Sequence, residues 1–437
     1  MLASLALLAL AAPYSALASR VLALTDAHSP SASSSTFHAF FNDLQNQGHD
    51  VLVKDLNDPA AAQLLDERST TSFDHLVLFA PSTKQSPSQL TPQSLTRRIN
   101  SPSNPIDLLL VLPPSATELW RDYAREFEVD PDDRGQVVVD YFSSSSPSSS
   151  DDPSTLSLSL ASSSAPSSIL SPATREGPPV LYRGSGHLIS RSPLLTPVLY
   201  ASPTAFSTDA DSKAPPEEVR LAGSSAGLVS AFQARNNKRV VIAGSEELFS
   251  DAFAEVDGTP TGNPSFLHDL TAWTFHRTGV LRVESSSHLQ TEAGVVGSPT
   301  YRVGTNLTYT LTLLSAPDVP HPLPDLQASF TMLDPHLRVP LLPVSHSPSP
   351  SPSSPGLVSY TYSATFAVPD RHGVFTLSCL HRRAGLETVE DKHTVSVVPL
   401  RHNEYERFIT GAVPYYTGAA SVSVAFVVFV CVWVMQS

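Results

Sequence analysis

A serine framed by glycines is the first feature of this chain that could carry a reaction. Gly223-Ser224-Ser225-Ala226-Gly227 matches the G-x-S-x-G pattern, in which a sharp strand-to-helix turn holds a serine hydroxyl ready for nucleophilic attack. Such a turn needs an apolar strand just before it and a helix just after. Pro215-Pro216-Glu217-Glu218-Val219-Arg220 precedes it instead, a poor central strand, and a serine-rich chain meets the pattern by chance. A hydrolase using Ser225 is therefore the alternative reading, not the leading one. Gly184-Ser185-Gly186 lacks the third glycine and the acidic partner of a dinucleotide fingerprint and reads as a turn. His28, His49 and His75 do not stand at metal-ligand spacing and no H-E-x-x-H occurs, so they read as loop or strand-end histidines. No metal and no cofactor is expected. The two cysteines, Cys379 and Cys431, both come late, which excludes a thiol nucleophile from everything before them. Asn306-Leu307-Thr308 is the one usable N-x-[ST] sequon, because Asn263 is followed by proline. Asn306 is thus a candidate glycan acceptor in a lumenal domain.

The elements that would position such groups fall into two styles. Arg20–Thr25, Asp50–Asp55, His75–Ala80 and Asp107–Leu112 are short apolar or alternating runs that read as strands. Between them Ser33–Gln47 places Phe37, Phe40, Phe41 and Leu44 at helical spacing, with Gly48 as its stop. Helices are also expected at Leu64–Arg68 and Ser115–Glu128. Strands alternating with helices predict a parallel sheet covered on both faces, resembling flavodoxin or glutamine-amidotransferase modules, here without the amidotransferase thiol. Ser143–Ser171 is dominated by serine and reads as a flexible insertion that buries too little to order itself. The pattern resumes with Val180–Arg183, Gly227–Gln233 and Arg239–Gly244 as strands, Ser245–Phe253 and Leu267–His276 as helices, and Val280–Val283 closing the part.

After about Ser285 no helical pattern intervenes. Thr300–Leu314, Ala328–Leu333, Val358–Val368, Val374–Leu380 and Thr388–Val398 are rich in threonine and β-branched residues with alternating faces. They predict an antiparallel β-sandwich of six or seven strands, with the Ser/Pro tract Ser345–Pro355 as a loop.

The two ends set the topology. Tyr415–Met435 holds no charge and spans about 30 Å as a helix, enough to cross a bilayer, with Tyr415, Tyr416 and Trp433 at its ends. Leu2–Leu10 is nearly all apolar and Ala16-Leu17-Ala18 is an A-x-A cleavage site, so residues 1–18 read as a signal peptide. The expected organisation is a lumenal α/β domain over 19–284, a lumenal β-sandwich over 285–400, a juxtamembrane segment over 401–414, a span over 415–435 and a cytoplasmic tail of 436–437. Within the span, Ala419 with Ser423, and Ser421 with Ala425, are small-xxx-small pairs, read as a docking face for partner helices. A net charge of −14 excludes a nucleic-acid binder, which needs a basic face. With Cys431 inside the span, the fold must rest on its core or on partners rather than on a disulfide.

Several stretches carry a family resemblance. They are Arg20-Val21-Leu22-Ala23-Leu24 with Gly48-His49-Asp50-Val51, Phe73 through Ser82, and Gln233-Ala234-Arg235-Asn236-Asn237 with Arg239-Val240. They continue with Gly244-Ser245, Phe249-Ser250-Asp251-Ala252-Phe253, Gly279 through Val283, Asp370 with Gly373-Val374-Phe375, and Tyr405-Glu406-Arg407-Phe408-Ile409 before Pro414-Tyr415-Tyr416. In this order they are similar to the 48 kDa (beta) subunits of eukaryotic oligosaccharyltransferases, over nearly the whole chain after residue 18. The resemblance implies an accessory subunit, itself not the catalyst, of the endoplasmic-reticulum complex that moves an oligosaccharide from dolichyl diphosphate to Asn of N-x-Ser/Thr sites. It implies three partners: a multi-spanning catalytic subunit, a ribophorin II-type subunit and a defender-against-death-type subunit. It gives Arg235, Asn236, Asn237, Tyr405, Glu406 and Arg407 as motif residues without a role. The long serine-rich insertion and the lack of a dilysine-type tail signal depart from the family pattern.

Overall fold

The computed structural model describes residues 19–25, 36–56, 58, 73–80, 91–102, 104–142, 153–209, 219–256, 258–291, 296–344, 349–350, 356–405 and 407–436. The expected signal peptide, the helix expected at Leu64–Arg68 and most of the tract 345–355 lie outside the described residues.

In chain order the first unit contains strands β1 (Arg20–Thr25), β2 (Asp50–Asp55), β3 (His75–Phe79), β4 (Asp107–Val111), β5 (Val129–Pro131), β6 (Gln136–Val139), β7 (Leu156–Leu158), β8 (Val180–Tyr182), β9 (His187–Ile189), β10 (Leu195–Tyr200), β11 (Phe206–Asp209), β12 (Ala226–Gln233) and β13 (Arg239–Ala243), then a small hairpin of β14 (Glu255–Val256) and β15 (Thr259–Pro260). Its main sheet has the order β2-β1-β3-β4-β13-β12-β9-β5, with β10 also on β12. From β2 to β13 the neighbours are parallel. Around β12 they are antiparallel. The all-parallel sheet expected from the alternation is therefore half of a mixed one. The reason is local: Ala234–Lys238 joins β12 to β13, and a parallel neighbour would need a crossover of a dozen or more residues.

The parallel strands are apolar on both sides because both sides are covered. Val21, Ala23, Val77, Phe79, Leu109, Val111, Val241 and Ala243 pack into one core with Phe37, Phe40, Phe41 and Leu44. Leu22, Leu24, Leu76, Leu78, Leu108, Leu110, Val240 and Ile242 pack into the other, with Trp120 and Tyr123. The period-two alternation of a strand divides them. Helix α1 (His38–Asn46) buries the predicted phenylalanines. Helix α2 (Pro92–Ile99), absent from the sequence reading, is started by a capping box of Thr91 and Ser94 with proline in its first turn. Helix α3 is Glu118–Arg125.

The serine-rich segment is corrected in its second half. Residues 143–152 lie outside the described residues, but from Pro153 onward the chain is built in. Leu156, Leu158, Leu160, Ile169 and Leu170 are buried, and β7 pairs antiparallel with β8. Arg175, on the short helix α4 (Pro172–Arg175), donates to the carbonyls of Ser163, Ala165 and Leu170. The expected helix over Ser245–Phe253 is instead a 3-10 turn at Glu247–Phe249 followed by the four-residue α5 (Asp251–Ala254). Helix α6 (Asn263–Thr274) is buried on most of its surface.

Two five-stranded sheets form the second unit. Its strands are β16 (Leu281–Gln290), β17 (Thr300–Arg302), β18 (Asn306–Ser315), β19 (Gln327–Thr331), β20 (His336–Pro340), β21 (Leu342–Pro343), β22 (Ser349–Pro350), β23 (Val358–Ala367), β24 (Gly373–His381) and β25 (Val389–Val398). The orders are β16-β18-β23-β21, with β22 on β23, and β17-β25-β24-β19-β20. Leu307, Tyr309, Leu311 and Leu313 of one sheet share a core with Phe330, Phe375, Leu377 and Val395 of the other. Thr300–Leu314 is two strands rather than one, because Gly304, at φ +75°, turns the chain from one sheet to the other. β17 and β25 run parallel, the exception in an otherwise antiparallel unit. The boundary shifts too. Leu281–Gln290 pairs with β18 along its length, so Val280–Val283 opens the second unit instead of closing the first. Past it, α7 (Val413–Gln436) is uncharged, and apolar and long enough to cross a membrane.

Candidate functional site: the buried junction between the two units

A largely buried set of ionisable side chains lies where the first unit meets the second. Asp107 is the first residue of β4 and is wholly buried. Its carboxylate accepts from Lys238 Nζ at 3.2 Å, from the Arg239 backbone N–H at 3.0 Å and from His276 Nε2 at 2.9 Å. His75 Nδ1 lies 3.0 Å from Oδ2, the oxygen Lys238 also reaches, while Arg239 and His276 share Oδ1. The opposite ring nitrogen of His276 lies 2.5 Å from Glu387 Oε1, a buried carboxylate of the second unit. His276 thus stands between two buried carboxylates, one at each ring nitrogen, and ties the two units together. Burial pushes the Asp107 carboxyl up, but the charge and hydrogen bond of His276, with His75, outweigh it and hold it well below the usual range. Glu387 is lowered against the same burial by His276, Arg239 and Arg282.

Arg239, at the start of β13, is the second element of the joint. It is fully buried, and burial pushes its guanidinium down to about 10, still charged at neutral pH. It donates to the carbonyls of Trp273, Thr278 and Gly279, at and beyond the last turn of α6. A cation there satisfies carbonyls that the helix itself leaves free. Its guanidinium also sits 4.7 Å from the Trp273 ring centre, and Trp273 Nε1 donates to Gly385 of the second unit at 2.9 Å.

The β12–β13 turn completes the contact and gives the motif asparagines a place. Asn237 adopts φ +64°, a left-handed conformation that asparagine tolerates. Its side chain donates to the Thr388 carbonyl at 3.0 Å and accepts from the Thr388 N–H at 2.8 Å, as a neighbouring strand would. Asn236 donates to the Ile99 carbonyl and Gln233 to the Leu386 carbonyl. Arg235 is exposed. The hydrogen bonds named here run to other groups of the chain, and their arrangement fastens one unit to the other. Among the described residues no group of three His, Cys, Asp or Glu could hold a metal ion.

The other predicted positions are scattered. Ser225 is exposed in a 3-10 turn, and its hydroxyl donates to the Ala222 carbonyl at 2.7 Å. A strand follows it, β12, where a nucleophile elbow needs a helix. Gly184-Ser185-Gly186 is a tight backbone contact: Ser185 N–H donates to the Gly244 carbonyl at 2.9 Å, and a Cβ at Gly244 would stand 2.1 Å from the Ser185 oxygen. His75 belongs to the junction, His49 is buried beside it, and His28 lies outside the described residues. Asn306 is exposed at the first position of β18. Tyr405 and Arg407 are exposed ahead of α7, and Glu406 lies outside the described residues.

Helix geometry divides the residues expected to form a docking face within the span between two sides of α7. Ala419, Ser421, Ser423 and Ala425 are all exposed on α7. At 100° per residue, Ala419 and Ser423 fall on one side of the helix, and Ser421 and Ala425 on the opposite side. They make two narrow faces rather than one. Ser421 and Ser423 satisfy their hydroxyls on the carbonyls of Gly418 and Ala419, and Ala425 offers only a methyl group.

Sequence reasoning named Arg239 only within a motif and missed Asp107, His276 and Glu387. The available signal was Asp107, a charge opening the apolar run Asp107–Leu112.

Comparison with known proteins agrees along the chain. Residues 12–277 match the OST48 N-terminal domain family and residues 286–437 the OST48 middle domain. The 48 kDa subunit of dolichyl-diphosphooligosaccharide–protein glycosyltransferase of Arabidopsis thaliana is 34% identical over 94% of this chain and 91% of its own length. The wbp1 subunit of Schizosaccharomyces pombe is 30% identical over 92% and 89%, and the Caenorhabditis elegans 48 kDa subunit 29% over 96% and 92%. A solved ThuA-like protein of Parabacteroides merdae overlaps 60% of the chain and 91% of its own at TM-score 0.31 and 11% identity, too remote to bear on the fold. With both domain families in register and relatives aligned almost end to end, the chain belongs to the OST48 family.

Proposed function

We propose that this chain is a non-catalytic accessory subunit of an oligosaccharyltransferase and serves protein N-glycosylation by assembly rather than by reaction. Family membership supplies the complex. One structural observation supports the accessory role: the cluster of buried Asp107 and Glu387 with His276 between them spends its hydrogen bonds on joining the chain's own two units. Helix α7 anchors the chain once in the endoplasmic-reticulum membrane, with residues 19–414 lumenal. The partners are a multi-spanning catalytic subunit, a ribophorin II-type subunit and a defender-against-death-type subunit. One of the two small-residue faces of α7, that of Ala419 and Ser423 or that of Ser421 and Ala425, receives a partner helix. The parallel half of the first sheet, β2-β1-β3-β4-β13, has the flavodoxin strand order, which supports reading that half as flavodoxin-like. Exposed Asn306 accepts a glycan; an Asn306→Gln variant with unchanged gel mobility would refute that.

The test is complementation. Cells depleted of this chain should under-occupy N-x-Ser/Thr sites on a reporter glycoprotein. Wild type and Ser225→Ala should restore occupancy equally and co-purify the same subunits by mass spectrometry. Loss of occupancy with Ser225→Ala, or turnover of substrate by the isolated chain, would overturn the reading.

A further inference from the structure

The segment between the second unit and α7 leaves apolar side chains uncovered at one spot. Glu404 is held to the sandwich, 3.1 Å from Arg302, and also accepts from the Arg401 N–H. Helix α7 begins at Val413. In the short link between them Tyr405, Phe408 and Ile409 are 55%, 60% and 62% exposed. The Phe408 ring packs 5.2 Å from that of Tyr416, in the first turns of α7, so the link folds back against the helix start instead of running away from it. Exposed Arg401 precedes the apolar residues and exposed Arg407 lies among them.

We propose that Tyr405, Phe408 and Ile409 form a collar that lies in the interfacial layer of the lumenal leaflet, with phospholipid as its partner. The inference rests on α7 being the membrane anchor. The contact between Phe408 and Tyr416 fixes its depth. A ring beside Tyr416 lies where the helix enters the bilayer, and aromatic residues favour the headgroup boundary. Tyrosine and arginine complete the set: an apolar body or stem lies along the acyl boundary and the polar end reaches the phosphates. Continuity with the span selects lipid over a soluble partner. Because Glu404 is tied to the sandwich, the collar also holds the second unit close to the membrane surface. It gives the motif residues Tyr405 and Arg407 a role.

The test uses the full-length chain in phosphatidylcholine vesicles brominated just below the headgroup. Its three tryptophans are Trp120 and Trp273, both buried in the first unit, and Trp433 in α7. The emission added by Phe408→Trp therefore isolates the collar, and Trp433 reports the anchor. Bromine should dim the added emission at least about twofold, and aqueous iodide should reach it weakly. Emission insensitive to bromine and quenched by iodide, with Trp433 still dimmed, would overturn the collar and leave the anchor standing. Protection from both quenchers would mean that protein covers the site, and would overturn it too. A Trp433 that escapes bromine would overturn both. Ile409→Trp repeats the measurement should the first variant disturb the link.

Discussion

The β-sandwich is attached at two places, and the attachments are opposites. Toward the first unit it is fastened by desolvated charges: Asp107 and Arg239 are wholly buried and Glu387 nearly so. Toward α7 it has a short link whose apolar side chains face outward. The first joint is complete within the chain and fixes geometry, because a buried carboxylate between two cations tolerates little displacement. The second is finished only by what lies outside the chain. The largest predicted effect breaks the first joint. Arg239→Ala leaves three carbonyls short of a donor and Glu387 without the cation 4.0 Å away, and should destabilise the chain by about 3–5 kcal/mol. Chemical denaturation in detergent checks it, and a loss below about 1 kcal/mol would mean the joint is not held by charge.

Acid should act on the histidines buried in the first unit. His187 is fully buried against Ser230 Oγ at 2.7 Å, and burial lowers it to about 4. Between its ordinary 6.5 and about 4 the unfolded chain binds a proton that the folded chain refuses. Stability is thus full above that window and lost as pH falls through it, by roughly 3 kcal/mol for this one group. His49, also lowered to about 4 by burial and by His75, acts in the same direction. Asp107 and Glu387 are depressed carboxylates whose contribution persists until the pH falls below their lowered values. His75, lowered by burial at the joint itself, acts in the same direction as the other two histidines, so core and joint both lose stability in this window. His187→Gln should flatten the dependence of unfolding free energy on pH between 6.5 and 4; an unchanged slope would assign it elsewhere.

A smaller effect separates the asparagine's two tasks at the joint. Asn237→Gly keeps the left-handed turn and loses both bonds to Thr388, which should cost about 1–2 kcal/mol. Asn237→Ala loses the bonds and adds the penalty of a Cβ at φ +64°, about 1 kcal/mol more. Equal losses in thermal melts would show that the turn carries no strain.

What could be read from the sequence was what is local. Apolar runs such as His75–Phe79, the phenylalanine spacing of α1 and the uncharged stretch of α7 decide their structures by themselves. The joint is not local: Asp107 meets Lys238, Arg239 and His276 far along the chain, and no periodicity marks Glu387 for His276. The antiparallel half of the sheet was legible in principle from the short asparagine-bearing turn, which forbids a crossover. The two faces of α7 were legible too, since residues two apart on a helix, such as Ser423 and Ala425, point away from each other. The serine-rich segment misled because composition was averaged over its whole length. Leu156, Leu158 and Leu160 alternate within it, and period-two leucines order a strand whatever lies between them.

The second attachment gives the smallest effect, and its smallness is informative. Phe408→Ser with Ile409→Ser removes two mostly exposed side chains whose packing is on Tyr416 rather than on the sandwich core. Unfolding of the lumenal units, followed by urea in detergent, should shift by less than about 0.5 kcal/mol, the range of surface substitutions away from buried contacts. A loss comparable with that of Asn237→Gly would mean that the link packs on the sandwich and that both attachments are closed within the chain. If stability holds, what these side chains contribute is exerted outside the folded units, where the link meets the membrane.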